Sequence, residues 1–93
     1  MKQKLIAGNW KMNGSLAANA SLLQAVMEGG KGMNCQAAVC VPAAYLAQVQ
    51  ALLAGQSLIA LGSQDVSAQE VGAFTGEISA GMLNDFSVRY AIV

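Results

Sequence analysis

Apolar and polar positions follow two rhythms along this chain. "KLIAGNW" (4–10) is a short apolar run that reads as a first strand. Strand side chains alternate between faces, so Leu5, Ala7, Asn9 and Lys11 fall on one side and Ile6, Gly8 and Trp10 on the other. "SLAANASLLQAVMEGG" (15–30) changes rhythm: Leu16, Ala20, Leu23 and Met27 recur at helical spacing. Ser15 is placed to cap this helix, and Gly29-Gly30 to end it with a positive φ. "QAAVCV" (36–41) is continuously apolar and stops at Pro42, the only proline. Such runs suit parallel strands covered on both faces.

The alternation continues. "AAYLAQVQALLAG" (43–55) predicts a second helix, with Leu46, Val49 and Leu53 on one side and Gly55 as the stop. "SLIALG" (57–62) predicts a third strand, "SAGMLNDF" (79–86) a short helix and "VRYAIV" (88–93) a fourth strand. Strand and helix in this order form serial βαβ units, whose crossovers make successive strands parallel. Between the third strand and the short helix, "SQDVSAQEVGAFTGEI" (63–78) has no apolar period. A loop of that length within a compact domain is often functional. The run of residues ends at Val93 inside a predicted apolar strand, which leads us to expect a fragment, one partial domain over 1–93.

Composition narrows the chemistry. The 93 residues are 55% hydrophobic and 11% charged, with five basic and five acidic side chains. No basic stripe exists, so nucleic acid is not an expected partner. The start, "MKQKLIAGNW", is too short in its apolar part for a signal segment, and no window approaches a membrane span. A soluble, cytoplasmic protein is expected, with no membrane partner. Cys35 and Cys40 lack metal-ligand spacing and there is no histidine, so no metal site is expected. Cys40, inside its apolar run, reads as core. Histidine-dependent triads and dyads cannot be built from these residues.

One cluster remains. Strand alternation puts Asn9 and Lys11 together near the C-terminal end of the first strand, the end at which parallel α/β folds bind ligands. An amide and an ammonium there suit a small anion. The plainer reading is a solvated lysine after a turn-forming asparagine. "GNWKMNG" matches neither a dinucleotide fingerprint nor a P-loop, and Gly14 reads as the turn into the first helix. Asp65, Glu70 and Glu77 all lie in the long loop, where solvation is the ordinary state of a charge.

Taken together, "GNWKMNG" and the later "GSQDVSAQEVGAFTGEISAGML" resemble the triosephosphate isomerase family, in order and spacing over essentially the whole chain. The resemblance implies a (β/α)8 TIM barrel, of which these residues form the N-terminal half: four parallel strands with intervening helices. It implies interconversion of dihydroxyacetone phosphate and glyceraldehyde 3-phosphate by proton transfer through an enediolate, a step of glycolysis and gluconeogenesis that needs no cofactor or metal. A glutamate base and a neutral histidine carry that transfer in the family, a standard case of paired acid–base chemistry. By the match, Asn9 and Lys11 are catalytic and substrate-binding residues: Lys11 for the phosphate and the developing enediolate, Asn9 to hold it. Phe74, Thr75 and Glu77 would form a homodimer interface, Thr75 reaching the neighbouring subunit.

The histidine, the glutamate and the phosphate loops of the family follow the fourth strand, so this chain alone is expected to be inactive. Asp65 stands where asparagine is common, and "VPAAYL" has one proline where many members have two. Two other readings remain. A non-catalytic half-barrel would self-associate through its open strand edges or pair with the remaining barrel half. A flavodoxin-like binding module would share the element order but needs a ligand loop after the first strand.

Overall fold

The computed structural model describes residues 4–93; the first three residues of the basic start lie outside the described residues. The strands are β1 (Leu5–Asn9), β2 (Gln36–Val41), β3 (Ile59–Ser63) and β4 (Tyr90–Ala91). The helices are α1 (Leu16–Gly29), α2 (Leu46–Leu53) and α3 (Ala80–Asn84). The strands form one parallel sheet in the order β1-β2-β3-β4. Sequence order and spatial order coincide, with no reversal. A doubly wound sheet reverses direction part-way through its strand order, so the flavodoxin-like reading falls and the serial, half-barrel arrangement stands.

Register explains the two faces of the sheet. Ala37 pairs with Ile59, Val39 with Leu61 and Val41 with Ser63. This row faces the helices, where Val39, Val41, Ile59 and Leu61 pack with Leu23, Leu46, Val49, Leu53 and Leu83. The opposite row is small: Ala7 beside Ala38, then Cys40 beside Gly62. Bulky aliphatics under the helices and small residues on the concave side let the sheet curve. Gly62 is held to glycine by contact: a Cβ there would lie 2.6 Å from Cys40 Sγ. Cys40 is buried, and its burial pushes the thiol pKa up.

Several boundaries differ from the sequence expectation, each for a local reason. Ser15 does cap α1, its Oγ accepting from the Ala18 N–H at 3.1 Å. The helix nevertheless ends with Gly30 in right-handed geometry, and the positive φ falls at Gly32. Leu16 is 63% exposed, so the apolar stripe begins a turn later, while Asn19 is buried within it. The second helix begins as a single 3-10 turn over Ala43–Tyr45, because Pro42 holds the extended geometry (φ −55°, ψ 145°) that closes β2.

The third strand starts two residues late. Gln56 binds the preceding turn: its Nε2 donates to the Leu53 and Ile59 carbonyls and its Oε1 accepts from the Leu58 and Ile59 N–H groups, all within 2.9–3.0 Å. Ser79 caps α3 through the Met82 N–H. β4 starts at Tyr90 rather than Val88, because Ser87 turns the backbone with φ 59° just before it.

The Cys40–Gly62 contact generates a test. Gly62→Ala is expected to destabilise the fold by about 1–3 kcal/mol through overpacking. Adding Cys40→Ala should restore part of that loss. Urea unfolding of the single and double variants checks it, and an additive double variant would contradict the contact.

Candidate active-site corner

The C-terminal end of β1 carries the two residues singled out in the sequence, and the structure brings them together by a turn rather than by strand alternation. Asn9 is the last residue of β1 and lies on the concave face, in register with Cys40. Trp10 turns the other way and packs against the core, its N–H donating to the Cys40 carbonyl at 3.1 Å. Lys11 lies beyond the strand with φ 55°, so the period-two rule has lapsed before it is reached. What joins the pair is a hydrogen bond: the Lys11 N–H donates to Asn9 Oδ1 at 2.9 Å. This is a side-chain turn of the kind asparagine favours. The two readings of Asn9, turn former and site residue, thus describe one geometry. Both side chains are exposed.

A left-handed backbone at lysine costs about 1–2 kcal/mol relative to the right-handed region. It persists here because the neighbourhood fixes it. Gln64, the first residue after β3, reaches across with Nε2 2.8 Å from the Lys11 carbonyl and 3.1 Å from the Cys40 carbonyl. Asn13 Nδ2 donates to the Trp10 carbonyl at 2.9 Å. Strained non-glycine residues held this firmly occur preferentially at functional sites. Gln64 is the participant the sequence reading missed. Its signal was available: an amide immediately beyond a parallel strand, at the end of the sheet where sites form.

The other candidates lie elsewhere. Phe74, Thr75 and Glu77 sit in the loop between β3 and α3, where the Glu77 N–H donates to the Phe74 carbonyl at 3.0 Å and Ser67 N–H to the Ile78 carbonyl at 2.8 Å. The loop tip is closed on itself, with the Phe74 ring folded over Gly72. Val71 is 87% and Phe74 44% exposed. Among the described residues, no group of three or more histidine, cysteine, aspartate or glutamate side chains could hold a metal, and no helix is long and apolar enough to cross a membrane.

Comparison with known proteins decides the family. The sequence model of triosephosphate isomerase matches residues 4–93. The chain belongs to the triosephosphate isomerase family. It is 63% identical over 93 residues to the triosephosphate isomerase of Albidiferax ferrireducens, and 58% identical over 93 residues to that of Herminiimonas arsenicoxydans; each alignment covers 100% of this chain and 37% of the relative. The crystal structure of triosephosphate isomerase from Bartonella henselae superposes with a TM-score of 0.83 at 34% identity, covering 99% of this chain and 38% of that one. The chain therefore spans little more than a third of the length of the relatives it matches, and its four strands are the N-terminal half of a TIM barrel.

The strain at Lys11 can be measured. Lys11→Gly is expected to raise stability by about 0.5–1 kcal/mol, the relief of the left-handed penalty less the entropy cost of glycine. Chemical denaturation reads the change, and a destabilised variant would contradict strain at this position.

Proposed function

We propose that this chain supplies the substrate-contact corner of a triosephosphate isomerase, with a phosphorylated triose as substrate, in a cytoplasmic homodimer. The observation that carries the reading is the Asn9–Lys11 turn: a strained lysine fixed at the ligand-binding end of β1 by Asn9 and Gln64. The Lys11 ammonium attracts the phosphate and stabilises negative charge as the enediolate forms. Fixed charge aimed where charge develops lowers the barrier without reorganisation during the reaction. Asn9 acts on Lys11 through its backbone N–H, so removing the Asn9 side chain frees the turn as well as an amide at the site.

Proton transfer itself needs a base and an electrophile. This sequence contains no histidine. Its loop carboxylates, Asp65, Glu70 and Glu77, are exposed and follow β3 rather than the Lys11 turn. The corner binds and polarises; the proton-moving groups belong to the remaining barrel half. The exposed Val71 and Phe74, on a loop tip stiffened by its own hydrogen bonds, support the reading of Phe74, Thr75 and Glu77 as the contact to a second subunit.

A second reading is favoured by β1. All five of its residues are exposed, including Leu5 and Ile6, and one of its edges has no partner strand among the described residues. An apolar open edge is a template for pairing. On this reading the isolated chain is a non-catalytic half-barrel that self-associates.

Two measurements follow. The 93-residue chain alone is expected to give no isomerase turnover. Joined to the complementary segment of the Albidiferax ferrireducens relative, it should turn over triose phosphate, and Lys11→Ala should reduce kcat/KM at least a hundredfold, about 3 kcal/mol. Near-normal activity in Lys11→Ala would refute the assigned role. Light scattering of the chain alone at micromolar concentration should show species larger than a monomer. A stable monomer would exclude pairing through β1.

A further inference from the structure

The turn that carries Lys11 continues into α1 over a polar platform that the isomerase reading does not use. Asn19 is only 2% exposed, at the head of the buried stripe of α1. A buried amide is costly unless it is paired. Asn19 Nδ2 donates to Gln48 Oε1 at 2.9 Å, and Gln48 Nε2 in turn donates to the Leu16 carbonyl at 2.7 Å. Gln48 lies on α2, so the pair ties the start of α1 to the neighbouring helix. Beside it, Tyr45 donates its hydroxyl to the Gly14 carbonyl at 3.1 Å.

Gly14 is where the loop rests on this platform. Its φ is 135°, and a Cβ would lie 2.7 Å from Asn19 Oδ1 and 3.0 Å from the Tyr45 ring. Only glycine satisfies both the backbone and the contact. The segment from Lys11 to Leu16 is therefore gripped at both ends. Gln64 holds the Lys11 carbonyl; Tyr45 and Gln48 hold the Gly14 and Leu16 carbonyls. Every one of these grips comes from a later strand–helix unit, so the loop can settle only when units two and three have packed.

We propose that Asn19, Gln48 and Tyr45 are positioning residues for Lys11: a half-buried amide pair and a tyrosine hydroxyl that fix the loop on which the ammonium is carried. The proposal rests on Lys11 being the substrate-contacting group. Removing a platform hydrogen bond leaves the fold in place but lets the loop open more often. The ammonium then spends less time where the phosphate binds, and the loss falls on substrate binding more than on the chemical step.

The test uses Gln48→Met and Tyr45→Phe in the full-length barrel made with the Albidiferax ferrireducens segment. Gln56→Ala is the control, because Gln56 binds only the turn before β3. Exchange of the Lys11 amide, the donor of the Asn9 turn, reads the loop directly. Both platform variants should speed Lys11 exchange severalfold, Gln48→Met, which removes two hydrogen bonds, more than Tyr45→Phe, which removes one. They should also raise KM severalfold with a smaller fall in kcat. Gln56→Ala should lower the melting temperature and leave exchange at Lys11 and KM unchanged.

Unchanged exchange in the platform variants would overturn the proposal. So would faster exchange with unaltered KM and kcat, since the platform would then hold the loop without positioning Lys11. If instead Lys11→Ala keeps a normal kcat/KM, the assignment of Lys11 fails while the exchange result still reports on the platform. Should Gln48→Met not fold, Tyr45→Phe removes a single oxygen and carries the same readouts.

Discussion

A parallel strand can be followed by another only through a crossover, and that constraint organises everything else here. Each crossover returns the chain to the same edge of the molecule, so every strand runs the same way and ends on the same side. Asn9, Val41, Ser63 and Ala91 thus end their strands as neighbours, although more than eighty residues separate the first from the last. The residues just beyond those ends, Lys11, Tyr45 and Gln64, are gathered without any sequence motif that spans them. Their contacts join positions 31 and 53 residues apart.

Burial is divided unevenly by the same geometry. β2 and β3 have a strand on each side and helices above, and their helix-facing residues form the core. β1 has one neighbour and its residues remain exposed on both faces. Apolar surface left in water forgoes about 25 cal/mol for each Å² that could be covered, so β1 adds little burial within these residues while carrying the candidate site. The site end of β1 is therefore secured by polar contacts from Gln64 and Tyr45, and by the Trp10 ring packed on the core, rather than by its own strand burial.

The fold was largely legible because periodicity survives without tertiary information. Leu46, Val49 and Leu53 line α2 as their spacing predicts, and the continuous apolar run at 36–41 is a central strand. The misplacements come from side chains acting on backbone. Gln56 takes over the donors and acceptors that would have begun β3 early, and Ser87 cuts β4 short. Neither effect has a hydrophobic signature. At the site, Asn9 and Lys11 were visible as polar residues at a strand end, and Asn9 as a turn former, but the hydrogen bond that joins the two was not. Alternation placed them on one face for the wrong reason: Lys11 has already left the strand, and a hydrogen bond from its own N–H brings it back to Asn9. Gln64 and the Asn19–Gln48 pair are contacts across 53 and 29 residues, which no local rule can read.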